Sequence, residues 1–148
     1  MNSFKKIYHS LDNKRYIVSL IIIVLIFGLV FFTVRMSKVE LQGKSLKISG
    51  VYSMNIDIND IKEVSLQDSL PQNLTRTNGV DFFGRQYIGK YSSKDLGKMR
   101  LYVYANQEPY LYITLNNGDY KHVIIAYKDK KQTKDLYEKI INIKDKTK

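Results

Sequence analysis

Cysteine is absent from this 148-residue chain, and histidine occurs only twice. Without Cys there is no thiolate nucleophile and no lipid-modified anchor, and a single His without Cys cannot assemble an ordinary zinc site. Nothing requires an oxidising compartment, because the chain has no bridge to form. His9 precedes the apolar segment described next. His122 lies in a strand-like run, with no Ser nucleophile and orienting acid close by in sequence. The residues therefore predict a non-enzymatic chain with no cofactor and no metal.

Charge is missing from one long segment. Tyr16 to Val34 reads "YIVSLIIIVLIFGLVFFTV", nineteen residues without a charge, fifteen of them Ile, Val, Leu or Phe. At about 1.5 Å per residue, a helix of that length nearly matches the ~30 Å of bilayer hydrocarbon. Only Ser19, Gly28 and Thr33 interrupt the run, so it lacks the polar face of a core helix. A cleaved signal peptide would need a shorter apolar region and a small-residue cleavage pattern, and "RMSKVELQGK" supplies none. The expectation is an uncleaved transmembrane helix over residues 16–34 in a single-pass cell-membrane protein. Four Lys and Arg flank the span on each side; Lys14 and Arg15 abut it directly, whereas Arg35 stands alone at the far end. That asymmetry predicts a cytoplasmic N-terminus and an extracytoplasmic C-terminal domain.

The remaining stretch of about 110 residues has a β texture. "SLKIS", "VYSMNIDI", "IKEVSL", "RQYIGKY", "MRLYVYA", "YLYITL" and "KHVIIAY" are seven candidate strands, separated by turn signals such as Ser49-Gly50, Asn78-Gly79 and Asn117-Gly118. "LYITLNNGDYKHVII" reads as a hairpin, because Asn117 and Gly118 both tolerate positive φ. After Lys128 the apolar period changes to about 3.6: Leu136, Tyr137, Ile140 and Ile141 share a face. Asp129 followed by Gln132 resembles a capping box, which places the helix start near Lys130.

Three motifs invite specific chemistry. "GRQYIGKYSSK", from Gly84 to Lys94, approaches the phosphate-binding pattern G-x-x-x-x-G-K-[ST]. Tyr91 stands where a magnesium-binding hydroxyl belongs, and a strand-like run follows in place of a helix. Gly79, Gly84 and Gly89 are instead expected to ease a twisted strand through bulges or close backbone approaches. "NIDINDIKEVSLQD" sets Asn55, Asp57 and Asn59 at alternate positions as in an EF-hand loop. Asp60 replaces the required Gly and Leu66 the final Glu, so a solvated strand face is expected. The net charge of +10, and +7 from Arg35 onward (20 Lys and Arg against 13 Asp and Glu), is spread over turns and the tail "KDKTK". The twelve Tyr read as sandwich-face residues rather than a stacking platform. Nucleic acid and nucleotides are therefore not expected partners, whereas anionic headgroups or an anionic polymer fit the charge.

Seven strands followed by one helix is the order of the pleckstrin-homology (PH) superfold. The segments "ISGVYS", "IDINDI", "DSLP", "RTNG", "IGKY" and "TKDLYEKI", with one apolar span ahead of them, resemble the bacterial PH-domain families of small Gram-positive membrane proteins. The resemblance covers roughly Leu46 to Ile143. It implies a mainly β fold, a bent seven-stranded sandwich or barrel capped by one C-terminal α-helix and preceded by the transmembrane helix. The expected divisions are a basic tail at 1–15, the span at 16–34, a linker at 35–45, the PH-like domain at 46–143 and a basic tail at 144–148. Phosphoinositide binding does not carry over, because "ISGVYSMN" lacks the Lys/Arg cluster that this function uses in the first hairpin loop.

The function expected is a membrane-anchored, non-enzymatic binding or assembly module, whose partners are the bilayer and a membrane or envelope protein. The alternatives are an accessory protein or hydrolase acting on an extracytoplasmic polymer, and a structural subunit of a membrane complex. The loop from Leu70 to Phe83, "LPQNLTRTNGVDFF", is long, polar and then abruptly aromatic, which makes Arg76, Asn78 and Phe83 the candidate contact residues. Phe82 and Phe83 as core residues of the next strand is the competing reading.

Overall fold

A computed structural model describes residues 2–35, 38–81 and 83–146, with the side chains of the first helix described for residues 14–30. Helix α1, Asn2–Arg35, is continuous and, at 1.5 Å per residue, roughly 50 Å long. The basic segment 1–15 is thus no separate tail where it is described; from Asn2 it is the first part of the same helix. Among the described residues no helix is long and apolar enough to cross a membrane. The described part of the apolar run ends at Val30, and residues 31–34 of the expected span lie outside the side chains described.

Two sheets and a helix follow. β1 (Val39–Gln42), β2 (Ser45–Ile48) and β3 (Met54–Asp57) form an antiparallel three-stranded sheet in that order. After a 3-10 turn at Ile58–Asp60, β4 (Ile61–Gln67), β5 (Thr75–Asp81), β6 (Gln86–Ser93), β7 (Gly97–Tyr104), β8 (Tyr110–Leu115) and β9 (His122–Ala126) form a six-stranded sheet ordered β4-β8-β9-β7-β6-β5. Helix α2, Lys130–Asp145, closes the described chain. The domain is mainly β with a C-terminal helix, consistent with a PH-like fold.

The expected seven strands are therefore nine among the described residues, and two of them were hidden for physical reasons. β1 lies inside the stretch read as a linker, with only Val39 and Leu41 turned inward over four residues. β5 lies inside the stretch read as a loop; none of its residues is fully buried, so it carries no apolar alternation to recognise. The sheet is also not wholly antiparallel. β9 folds back from β8 as the expected hairpin around Gly118 (φ +108°) and inserts beside β7, pairing parallel with it from Met99↔His122 to Val103↔Ala126.

The central strands are buried on both faces, which is why β8 and β9 read as nearly unbroken apolar runs. One core joins Leu46, Ile48 and Ile56 of the small sheet to Ile88, Tyr102, Leu111, Ile113, Val123 and Ile125, and to Leu136 and Ile140 of α2. The other face gathers Tyr91, Met99, Leu101, Val103, Tyr110, Tyr112 and Ile124 beneath Leu70 and Leu74. Those two leucines belong to the connection 68–74, which must join the opposite edges β4 and β5. Five inter-strand steps of ~4.8 Å are about 24 Å, near the full reach of so short a segment. The strap is held to the sheet by the Tyr112 hydroxyl, which donates to the Ser69 carbonyl at 2.8 Å.

α2 starts where its cap predicts. Asp129 accepts a hydrogen bond from the Lys131 N–H at 2.9 Å, and the buried Thr133 hydroxyl accepts from Tyr127 N at 3.0 Å, tying the helix to the end of β9. Leu136 and Ile140, one turn apart, fill the core, each burial stabilising by roughly 1.5–3 kcal/mol.

Candidate functional site

The residues singled out by sequence do not converge. Arg76 and Asn78 lie on β5, the edge strand, on either side of a bulge and opposite Tyr91 and Lys90 of β6. Thr77, the extra residue, donates its hydroxyl to the Lys90 carbonyl at 3.0 Å. Arg76 borders a hollow of about 360 Å³ with Leu74, Asp81, Tyr87 and Tyr91, whereas Asn78 accepts a hydrogen bond from the Tyr52 hydroxyl at 3.0 Å. Phe83 sits beyond the strand in the β5–β6 turn, at φ +52° and 97% exposed. It is a turn residue and not part of the core; Phe82 lies outside the described residues. The loop expected from Leu70 to Phe83 is thus a strap followed by an edge strand and a tight turn.

The glycine-rich near miss resolves into sheet. Gln86–Ser93 is strand β6, no helix follows it, and Gly89 faces Gly79 directly across β5–β6. A Cβ on Gly79 would stand 2.5 Å from the Ile88 carbonyl oxygen, and one on Gly89 2.5 Å from that of Asn78, so this is a close backbone approach. The polar set Asn55, Asp57 and Asn59 is used internally. Asn55 accepts from the Ser45 hydroxyl, and Asp57 caps the 3-10 turn by accepting from Asn59 N at 2.8 Å. Among the described residues no group of three or more His, Cys, Asp or Glu gathers in one place. His122 pairs with Thr114 at 3.4 Å, and burial, seconded by Lys121, holds its imidazole below the usual range, in the neutral form at pH 7.

Tyrosine hydroxyls act as ties between segments. Tyr91 donates to Val80 O at 3.3 Å, Tyr127 to Val39 O at 3.1 Å, and Tyr102 to Tyr52 O, while Tyr110 accepts from Asn106 N at 3.0 Å. Burial, the largest cause, pushes the phenols of Tyr91, Tyr112 and Tyr127 up to about 12.

A groove of about 670 Å³ lies between β1 and α2. One wall is Val39, Glu40, Leu41 and Gln42; the other is Tyr127, Gln132, Asp135, Leu136 and Lys139. β1 has β2 on one side only. Ser49 N donates to Lys38 O at 2.9 Å, and the pairs Glu40↔Lys47 and Gln42↔Ser45 continue that alternation to the Gly43-Lys44 turn. In an antiparallel ladder the intervening residues turn their backbone groups outward, here Val39 and Leu41. The Tyr127 bond to Val39 O fits that direction. The edge therefore presents Val39 N–H and both backbone groups of Leu41 toward a groove whose lining mixes Val39, Leu41, Tyr127 and Leu136 with polar side chains. Such an edge takes an extended segment as a further strand, with main-chain hydrogen bonds for affinity and alternate side chains for specificity. Sequence reasoning missed it because β1 was read as linker; the alternation of Val39 and Leu41 before a Gly turn was the available signal.

No curated protein and no solved structure matches the chain. The family model described as a bacterial PH domain matches residues 37–140, a span that begins just ahead of β1 and runs into α2, and the chain accordingly belongs to the bacterial PH domain family.

Proposed function

We propose that this chain is a single-pass membrane protein whose PH-like domain is a non-enzymatic docking module, accepting an extended segment of a membrane or envelope protein between β1 and α2. The observation that carries the reading is the open strand edge at Val39 and Leu41, facing a groove of about 670 Å³. Exposed edges are normally blunted by charge, Pro or a covering element. Here the edge opens on a groove with a second wall built by α2. The anchoring rests on the nineteen-residue uncharged run Tyr16–Val34 within a continuous 34-residue helix. The orientation, with the domain outside the cytoplasm, rests on Lys14 and Arg15 at the N-terminal flank.

Leu41→Pro tests the docking, because it removes an N–H that faces the groove while leaving the β1–β2 ladder intact. A photo-crosslinker at Gln42 in cells is expected to give defined adducts that disappear in Leu41→Pro, while one at Lys94 gives the same pattern in both proteins. Unchanged Gln42 adducts in a folded Leu41→Pro protein would remove this groove as the docking site. Protease added to intact cells is expected to cut the C-terminal domain; protection would reverse the orientation.

A further inference from the structure

The groove between β1 and α2 carries a charge opposite to that of the chain. Its charged lining residues are Glu40 of β1, Asp135 of α2 and Lys139, one turn beyond Asp135; one cation against two carboxylates is a net of −1 in a chain of +10. Neither carboxylate is in an ion pair, since the one ion pair among the described residues joins Lys130 and Glu108. Lys47, opposite Glu40 on β2, lies outside the lining and forms no ion pair with it. Among the described residues Glu40 accepts one hydrogen bond, from Gln42 Nε2 of its own strand at 3.2 Å. The Tyr127 hydroxyl gives its proton to Val39 O at 3.1 Å, so what remains to offer a ligand is an oxygen lone pair. That phenol is pushed up to about 12, by burial first and by the Glu40 charge second, which sets the carboxylate near the hydroxyl. Both walls therefore carry acceptors without a cationic partner.

We propose that the segment docked here is basic, with Lys or Arg alternating with apolar residues; the inference rests on the docking reading above and adds the chemistry of the partner. A strand added beside β1 continues its pleat. Residues opposite Val39 and Leu41, the half-buried positions of β1, turn toward the core against which Tyr127 and Leu136 pack, and are apolar for that reason. Residues opposite Glu40 and Gln42 turn to the outer face. There an opposite charge directly across from Glu40 stabilises the pairing and a like charge repels. Asp135, on the facing wall, offers a second carboxylate to a guanidinium or ammonium of the same segment. The long-range field of a chain at +10 favours an acidic partner, so selection of a basic one can come only from the carboxylates of the groove itself.

The full chain in neutral detergent is titrated into fluorescently labelled peptides in which Val alternates with Lys, with Gln or with Glu, and anisotropy is followed. Saturable binding is expected, tightest for the Lys peptide and weakest for the Glu peptide. Glu40→Gln should weaken the Lys peptide by up to about fivefold, and Glu40→Gln with Asp135→Asn by on the order of tenfold, removing its advantage over the Gln peptide. Lys139→Gln should tighten it, whereas Glu138→Gln, at an exposed position of α2 outside the groove, should leave it unchanged. All four positions are exposed, and circular dichroism of each variant separates loss of binding from loss of fold. Equal affinity for the three peptides, all of it lost in a folded Leu41→Pro protein, would keep the docking groove and overturn its preference for a basic segment. Tighter binding of the Glu peptide overturns that preference as well. So does tighter binding of a peptide copying Val39–Gln42 with its flanking residues, which would make a second copy of this chain the occupant. Binding that survives Leu41→Pro, or no saturable binding of any peptide, removes the docking reading and this one together.

Discussion

Replacing Gly79 by Ala isolates one packing claim, because Gly79 has no positive φ to confound it. The added Cβ would stand 2.5 Å from Ile88 O, 3.2 Å from Gly89 Cα and 3.3 Å from the Tyr91 ring. The first of these is backbone of the neighbouring strand and cannot swing aside. The strand can instead detach, since β5 is an edge and its inward residues, Gly79 and Val80, are only half-buried. Releasing it forfeits roughly 1 kcal/mol from half the burial of Val80, together with a few ladder hydrogen bonds of about 0.5–1.5 kcal/mol net each. The destabilisation should accordingly level off at about 2–4 kcal/mol, with the strand opening before the domain unfolds. Gly118→Ala is the comparison: φ is +108° but nothing lies within 4 Å of its Cβ, so only backbone strain of roughly 1–3 kcal/mol applies, confined to the β8–β9 turn. Hydrogen exchange on the full chain in detergent, read peptide by peptide, should show β5 and the facing half of β6 exchanging faster in Gly79→Ala, with β8 and β9 still protected. Gly79→Ala protein with wild-type exchange in β5 and a urea midpoint within error of wild type would refute the close approach.

Ile140→Ala should lower stability by about 2–5 kcal/mol in urea denaturation followed by circular dichroism, because Ile140 is fully buried in the core beneath α2. Asp129→Ala should cost about 1 kcal/mol in the same assay and fray the first turn of α2, since it removes the acceptor for Lys131 N. Alkali should unfold the domain between about pH 10 and 12. Tyr91, Tyr112 and Tyr127 are held protonated in the fold up to about 12 but ionise near 10 once unfolded, so their contribution is full below pH 10 and is lost as pH rises through 12. The double variant Tyr112→Phe/Tyr127→Phe should weaken that pH dependence, measured as the urea midpoint at pH 9 against pH 11.

What was legible in the sequence follows from how much each segment is buried. β7, β8 and β9 lie at the centre of the large sheet, and burial on both faces made them unmistakable apolar runs. α2 was legible to the residue at its start, because its cap and its apolar stripe agree. β5 was not, because an edge strand with a solvated outer side and a bulge needs neither alternation nor β-branched residues. The parallel pairing of β7 with β9 could not be read either: a hairpin signal fixes β8 against β9 but says nothing of which neighbour the second strand will find. Of the candidate contact residues, Asn78 was read as part of a contact loop and is a strand residue whose side chain accepts from the Tyr52 hydroxyl. Lys90 lies inside the glycine-rich near miss, and nothing in the sequence marks it out. Its cross-strand neighbour Arg100 is ten residues away in sequence and adjacent only through the register of β6 and β7.

The same logic makes the connection between α1 and β1 testable. Only residues 36 and 37 separate Arg35 from Lys38, whose backbone is already bonded to Ser49, so Val39, where the groove starts, lies within about 15 Å of the helix end. With α1 in a bilayer, the groove would sample a thin layer at the surface, and a partner tethered to the same bilayer would meet it at high effective concentration. Inserting about ten Gly and Ser residues between Arg35 and Lys38 would add roughly 17 Å of root-mean-square reach without touching a strand. The urea midpoint should stay unchanged, while the yield of Gln42 crosslinks to a membrane-bound partner should fall several-fold, as the local concentration is diluted over a larger volume. A constant yield across insertions of increasing length would mean that the partner does not reach the groove from the bilayer, and that the short connection serves some purpose other than presenting β1 to it.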